Sequence, residues 1–114
     1  MTHAPDSERG SVAAELAIAL PAVVLALLLG AGALGAAARQ VSLQDAVADA
    51  ARLLGRGESA ATAYAAVTAS IGDAHVSSEL RGDLSCVSAQ SDAVIARIIH
   101  IPLTASSCAL SGGL

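Results

Sequence analysis

The sequence predicts an α+β chain: a long N-terminal transmembrane helix extending into an amphipathic helix, then a short helix and a small antiparallel β-meander. Three observations predict it. From Leu16 to Ala38 there are 23 residues without a charge, and about 20 helical residues rising ~1.5 Å each cross the roughly 30 Å hydrocarbon core of a bilayer. Beyond Arg39 the apolar residues Leu43, Val47, Ala50 and Leu54 recur at helical spacing, with Asp45, Asp49, Arg52 and Arg56 mostly on the other side. From Ala74 onward the period changes, and runs containing β-branched residues alternate with turn residues.

The elements follow in order. Residues 1–10 are polar and read as a short leader without structure. The helix is expected to begin near Ser11, a suitable N-cap, which leaves Glu15 near the positive end of the helix dipole. Residues 11–38 form the transmembrane helix. Pro21 lies inside it, removes one backbone hydrogen bond and predicts a kink or loosened turn. Residues 39–57 form the amphipathic extension, ended by Gly55 and Gly57, and one helix from Ser11 to Leu54 would be about 65 Å long. Residues 58–114 form a small exported α+β domain. Its helix runs from Glu58 or Ser59 to about Ser70 and is stopped by Gly72-Asp73. Strands are expected over Ala74–Glu79, Leu84–Gln90 and Ala93–Leu103, with a short fourth from Thr104 to Ala109. Arg81-Gly82-Asp83 and Gln90-Ser91-Asp92 are the expected turns, and Ser111–Leu114 a frayed tail.

Composition excludes several function classes. Phe and Trp are absent and Tyr64 is the only aromatic residue, so no base-stacking platform can be built. Ten acids stand against six basic residues, all arginine, for a net charge of −4; no basic cluster suits nucleic acid. Cys86 and Cys108, the only cysteines, both follow the apolar run. An even count in an exported domain points to a disulfide, worth about 3 kcal/mol in the chain-entropy model. Two buried free thiols are the other reading.

Motifs for chemistry are weak. Gly30-Ala31-Gly32-Ala33-Leu34-Gly35 spells a dinucleotide-binding fingerprint, but that mechanism needs a strand before it and a helix opening at it. Within an apolar helix, Ala31/Gly35 and Gly32/Ala36 read better as small residues that let helices approach closely. His3, His75 and His100 are scattered, with no partner at ligand spacing, so neither metal nor other cofactor is expected. Asp45 and Asp49 lie one turn apart on a solvated face, and no serine has a base partner. No catalytic residue is assigned, and an enzyme is not expected.

One constellation remains: Gly10, Ser11 and Glu15 at the mouth of the apolar run. A small residue suits a scissile bond drawn out as extended chain, and cleavage after Gly10 would free the charged amine of Ser11. In a bundle of such helices that amine and a neighbour's Glu15 would offset each other's desolvation and fix axial register. The alternative is that Glu15 snorkels unpaired to the interface.

The stretch Gly10-Ser11-Val12-Ala13-Ala14-Glu15-Leu16-Ala17-Ile18-Ala19-Leu20-Pro21 resembles type IV pilin-like proteins, and more narrowly the TadE-like minor pilins (pseudopilins) of the tight-adherence system. It places Gly at the processing site, Glu at the fifth position after it and Pro soon afterwards. The Cys86…Ile101-Pro102-Leu103…Cys108-Ala109 pattern is also similar to that family. The chain departs from the related major pilins in having Leu16 where tyrosine usually follows the glutamate, and its leader carries Asp6 and Glu8 against Arg9. The resemblance implies insertion in the inner membrane by a single pass, with the C-terminal domain extracytoplasmic. It further implies cleavage after Gly10 by a prepilin peptidase and transfer to an assembly platform with its ATPase. The mature chain would then join other pilins in, or initiate, an adhesive surface pilus.

Two other readings compete. Ala36-Ala37-Ala38 offers a signal-peptidase site that would release a small secreted disulfide-bonded protein, although the apolar run is longer than a signal core of about 7–15 residues. An uncut single-pass membrane protein is the second.

Overall fold

A computed structural model describes residues 5–112 of the chain. Its largest dimension is 87 Å, against 22 and 18 Å in the other two directions. Most of that length is one helix, α1, which spans Pro5–Gly55 without interruption. The helix begins before Ser11, so Pro5–Gly10, expected to lack structure, are helical and Ser11 is not an N-cap. Proline suits a first helical position, where an N–H would have no intrahelical partner. The helix is also unbroken across Pro21. His3 lies outside the described residues.

The two parts of α1 have different surroundings. From Arg9 to Ala31 every residue is exposed. From Leu43 onward the helix is the spine of a small domain, with Leu43, Ala46, Val47, Ala50 and Ala51 in its core. The stripe expected from spacing is therefore covered by the chain's own sheet and second helix; Leu43, Val47 and Ala50 are fully buried. Asp45, Asp49, Arg52 and Arg56 are exposed, as the pattern requires. The helix ends in a Schellman motif: Glu58 N donates to Leu53 O at 3.0 Å and Gly57 N to Leu54 O at 3.0 Å. Gly57 takes the positive φ of 90° that this cap needs.

Helix α2 spans Ala60–Ser70. Ser59 caps it, its Oγ accepting from Thr62 N at 3.2 Å, and Ala63 and Val67 pack inward. The Tyr64 hydroxyl and Ser78 Oγ, 2.7 Å apart, tie α2 to the sheet.

The sheet contains β1 (His75–Arg81), β2 (Leu84–Ile95) and β3 (Ile99–Leu110), antiparallel and in that order. Gly82-Asp83 closes the first hairpin between the paired Arg81 and Leu84, with Gly82 at a φ of 60°. The second hairpin departs from expectation. Gln90-Ser91-Asp92 is no turn: these residues pair with Thr104, Leu103 and Pro102 in mid-strand. Their polarity fits the pleat, because Ser91 points inward to hydrogen-bond partners while Gln90 and Asp92 face out. The turn falls instead at Ala96-Arg97-Ile98, inside the expected third strand: Ala93–Ile95 end β2, and the part from Ile99 onward joins the expected fourth strand in one strand, β3. Pro102 is accommodated because β3 lies at an edge of the sheet.

Side chains of α1 cover part of that edge. Gln40 Nε2 donates to Thr104 O at 2.8 Å and Gln44 Nε2 to Ser106 O at 3.0 Å, satisfying carbonyls that would otherwise invite another strand. Cys86 and Cys108 are directly opposite in β2 and β3 and form a disulfide, with Cα atoms 4.0 Å apart. Ser111 and Gly112, expected to fray, are held by Asp83 O and Gly55 O; Gly113 and Leu114 lie outside the described residues.

Candidate functional site

An apolar helix surface is stable only against something other than water, and α1 exposes one from end to end of its charge-free run. Val12, Leu16, Ile18, Leu27 and Leu34 are each more than half exposed. This helix is long and apolar enough to cross a membrane, and none of that stretch is buried within the chain. A core helix of a globular protein can meet the same length and composition test, but it would be covered. At about 25 cal/mol per Å² of apolar surface, leaving such a rod in water is strongly unfavourable.

Gly10, Ser11 and Glu15 all lie on the N-terminal part of this rod and are exposed. A Cβ added at Gly10 would meet nothing within 4 Å. The intramolecular ion pairs found among the described residues join Arg39 to Asp73, Arg52 to Asp49 and Arg81 to Glu79. Glu15 takes part in none of them. It is the sole carboxylate between Glu8 and Asp45, and at that depth an ionised carboxylate calls for a partner or for access to the headgroups.

Gly30–Gly35 is helical throughout, so no strand–turn–helix cradle for a pyrophosphate exists there. The small-residue pairs part company. Gly32 and Ala36 are half-buried against the chain's own sheet, where a Cβ on Gly32 would come within 2.5 Å of Ile95 Cγ2. Ala31 and Gly35 stay exposed, and a Cβ on Gly35 would meet nothing. Sequence reasoning assigned the whole stripe to helix–helix contact; half of it is taken by the β2–β3 hairpin. The run Ala93-Val94-Ile95 carried no local sign of that destination.

Where α1 leaves the charge-free run, Arg39 meets the domain. Its Nη2 donates to Ser91 Oγ at 2.6 Å and pairs with Asp73 Oδ1, and Ser91 Oγ donates to Asp73 at 3.0 Å. The Ser91 hydroxyl holds the Asp73 carboxyl below its ordinary 3.8; desolvation opposes this, and the Arg39 charge adds to the lowering. This triad sits beside an open groove of about 460 Å³ lined by Gly32, Gly35, Ala36, Asp92 and Val94. It fastens the helix to the β1 approach and the middle of β2. Among the described residues no three His, Cys, Asp or Glu side chains gather as a metal site.

No family model matches the chain, and neither a curated protein nor a solved structure matches it.

Proposed function

We propose that this chain is a membrane-inserted minor pilin or pilus-assembly subunit of the TadE-like kind, cut after Gly10 by a prepilin peptidase. The observation that carries the reading is the uncovered apolar rod with one carboxylate, Glu15, near its start. A lone anchor needs no acid at that position. A helix that packs with copies of itself gains from one, because the amine of Ser11 freed by cleavage neutralises a neighbour's Glu15 and a slip in register strands both charges in hydrocarbon. Ala31 and Gly35 leave a small-residue face on which such helices can meet. The domain, stapled by Cys86–Cys108, stands outside the membrane, where disulfides persist. Partners on this reading are the peptidase, other pilins, the assembly platform with its ATPase, and the bilayer. The chain acts as structure and not as an enzyme.

The helical continuity of α1 through Ala38, with Gly32 and Ala36 packed on the sheet, supports an attached anchor over a signal peptide released at Ala38. Cleavage there would remove the contacts of Gly32 and Ala36 with the domain. Intact mass of the protein recovered from its host separates the three fates. We expect the mass of Ser11–Leu114, reverting to the full chain when Gly10→Trp blocks the cut. The mass of Arg39–Leu114, or an uncut chain that still works, would overturn the proposal.

A further inference from the structure

The tip of the β2–β3 hairpin is the least expected surface of the domain. Its turn residues are Ala96, Arg97 and Ile98, with Ala96 and Arg97 at φ of 54° and 63°, positions where glycine or asparagine is ordinary. Ile98 is 78% exposed, Val94 53% and Ile99 42%. A turn facing water gains nothing from three large aliphatic side chains. From Ala93 to Cys108 there is no carboxylate, and the one charged residue is Arg97.

The position of this tip is fixed by the helix. The bonds from Gln40 to Thr104 and from Gln44 to Ser106 show β3 running alongside α1 in the same direction. The turn is therefore the end of the sheet nearest the N-terminal rod. Ile95 packs on Gly32, where a Cβ would stand 2.5 Å from its Cγ2. Gly32 lies six residues before Ala38, or about 9 Å inside the end of the charge-free run. Counted from Leu16, about 30 Å of hydrocarbon ends close to Gly35.

We propose that the β2–β3 tip is a second membrane contact, seated in the headgroup–acyl boundary of the leaflet on the domain's side. Val94, Ile98 and Ile99 enter the upper acyl region, and Arg97 extends its guanidinium back to the lipid phosphates. Within the turn the Ile98 N–H is paired with Ile95 O at 3.2 Å, and the remaining polar backbone of Ala96 and Arg97 suits the hydrated headgroup level and not the acyl core. The inference rests on α1 spanning the bilayer. Its consequence is that the domain is held close to the membrane in a fixed pose and does not swing on its stalk.

The chain has no tryptophan and one tyrosine, Tyr64, so each single replacement is the sole tryptophan and is read by excitation beyond the tyrosine band. Full-length Ile98→Trp, Leu27→Trp and Leu80→Trp are placed in phosphatidylcholine–phosphatidylglycerol vesicles, with bromine on the acyl chains either near the headgroup or near the methyl end. Val94→Trp serves as a second tip reporter should Ile98→Trp not fold. We expect about twofold or greater loss of tip emission with the shallow bromine and less with the deep one, as an interfacial depth of about 5–10 Å requires. Leu27→Trp should be quenched in its own right, and Leu80→Trp, at the far end of the sheet, should not. Quenching at Leu27 without quenching at the tip overturns the inference while the spanning reading stands. A blue-shifted tip that bromine leaves untouched would mean that protein, such as a second copy, covers it, which also overturns the inference. Absence of quenching at Leu27 overturns the spanning reading and the inference together.

Discussion

The N-terminal and C-terminal parts of α1 belong to one unbroken helix, yet they solve the burial of apolar surface in opposite ways. From Leu43 to Gly55 apolar residues occupy one face and the sheet covers them, while acids and arginines face outward. From Val12 to Ala31 apolar residues point in every direction and nothing in the chain covers them. Backbone geometry is the same in both. What differs is the sequence pattern: polar on one face in the first case, apolar all round in the second, as in a helix able to cross a membrane. The boundary is gradual, because Gly32 and Ala36 lie in the apolar run and already touch the sheet.

Matched substitutions sharpen this contrast most. In the intact protein in detergent, Leu43→Ala should destabilise the domain by about 2–5 kcal/mol, since Leu43 is fully buried. Leu27→Ala, at a site 66% exposed within the chain, should leave the unfolding midpoint unchanged. Equal effects in denaturant unfolding would erase the distinction between the two parts.

The disulfide comes next. It staples the two strands that cover the buried half across a sequence separation of 22, and opening it should cost about 3 kcal/mol in the chain-entropy model. Reduction, followed by thermal unfolding, should lower the midpoint of the domain without altering membrane association. If association fell as well, the domain and the rod would not be the separable parts described.

At the boundary, Gly32→Ala places a Cβ against Ile95, where overpacking of about 1–3 kcal/mol outweighs the ~1 kcal/mol gained in helix propensity. Gly35→Ala meets nothing and should be neutral or stabilising by up to about 1 kcal/mol. A reversed order in unfolding midpoints would remove the hairpin from its place on α1.

The smallest effect is electrostatic. Asp73 is an acid whose folded pKa lies below 3.8, so its contribution is fully present above the unfolded value and fades as pH falls through the folded one. Unfolding midpoints of the parent and Arg39→Leu proteins should differ slightly at neutral pH and converge on acidification below that range. A difference that grew in acid would contradict the pairing.

Local signals made much of this architecture legible in the sequence. The charge-free run and the stripe from Leu43 to Leu54 specify one helix with two surface patterns, Ser59 marks the start of α2, and Gly82 marks the first hairpin. The departures have separate causes. Gln90-Ser91-Asp92 has the composition of a turn, but pairing with Thr104, Leu103 and Pro102 outweighs that preference, and the inward Ser91 is used by Arg39 and Asp73. The actual turn at Ala96-Arg97 has no turn residue to reveal it. The helix start at Pro5 was hidden because a polar segment carries no periodicity to read. At the candidate site, Glu15 was visible as an acid at the edge of an apolar run. The contact of Gly32 with Ile95 was not, because it joins positions far apart in sequence through a sheet whose register no local pattern sets.

The central claim is that one helix is divided between a bilayer and its own domain. It is tested most directly by photolabelling the full-length protein in vesicles with a lipid-soluble carbene precursor and mapping the adducts by peptide mass. Adducts should concentrate between Val12 and Gly35 and be missing from the buried face between Leu43 and Ala51. A protein that keeps its folded domain yet shows no labelling between Val12 and Gly35 would contradict the account.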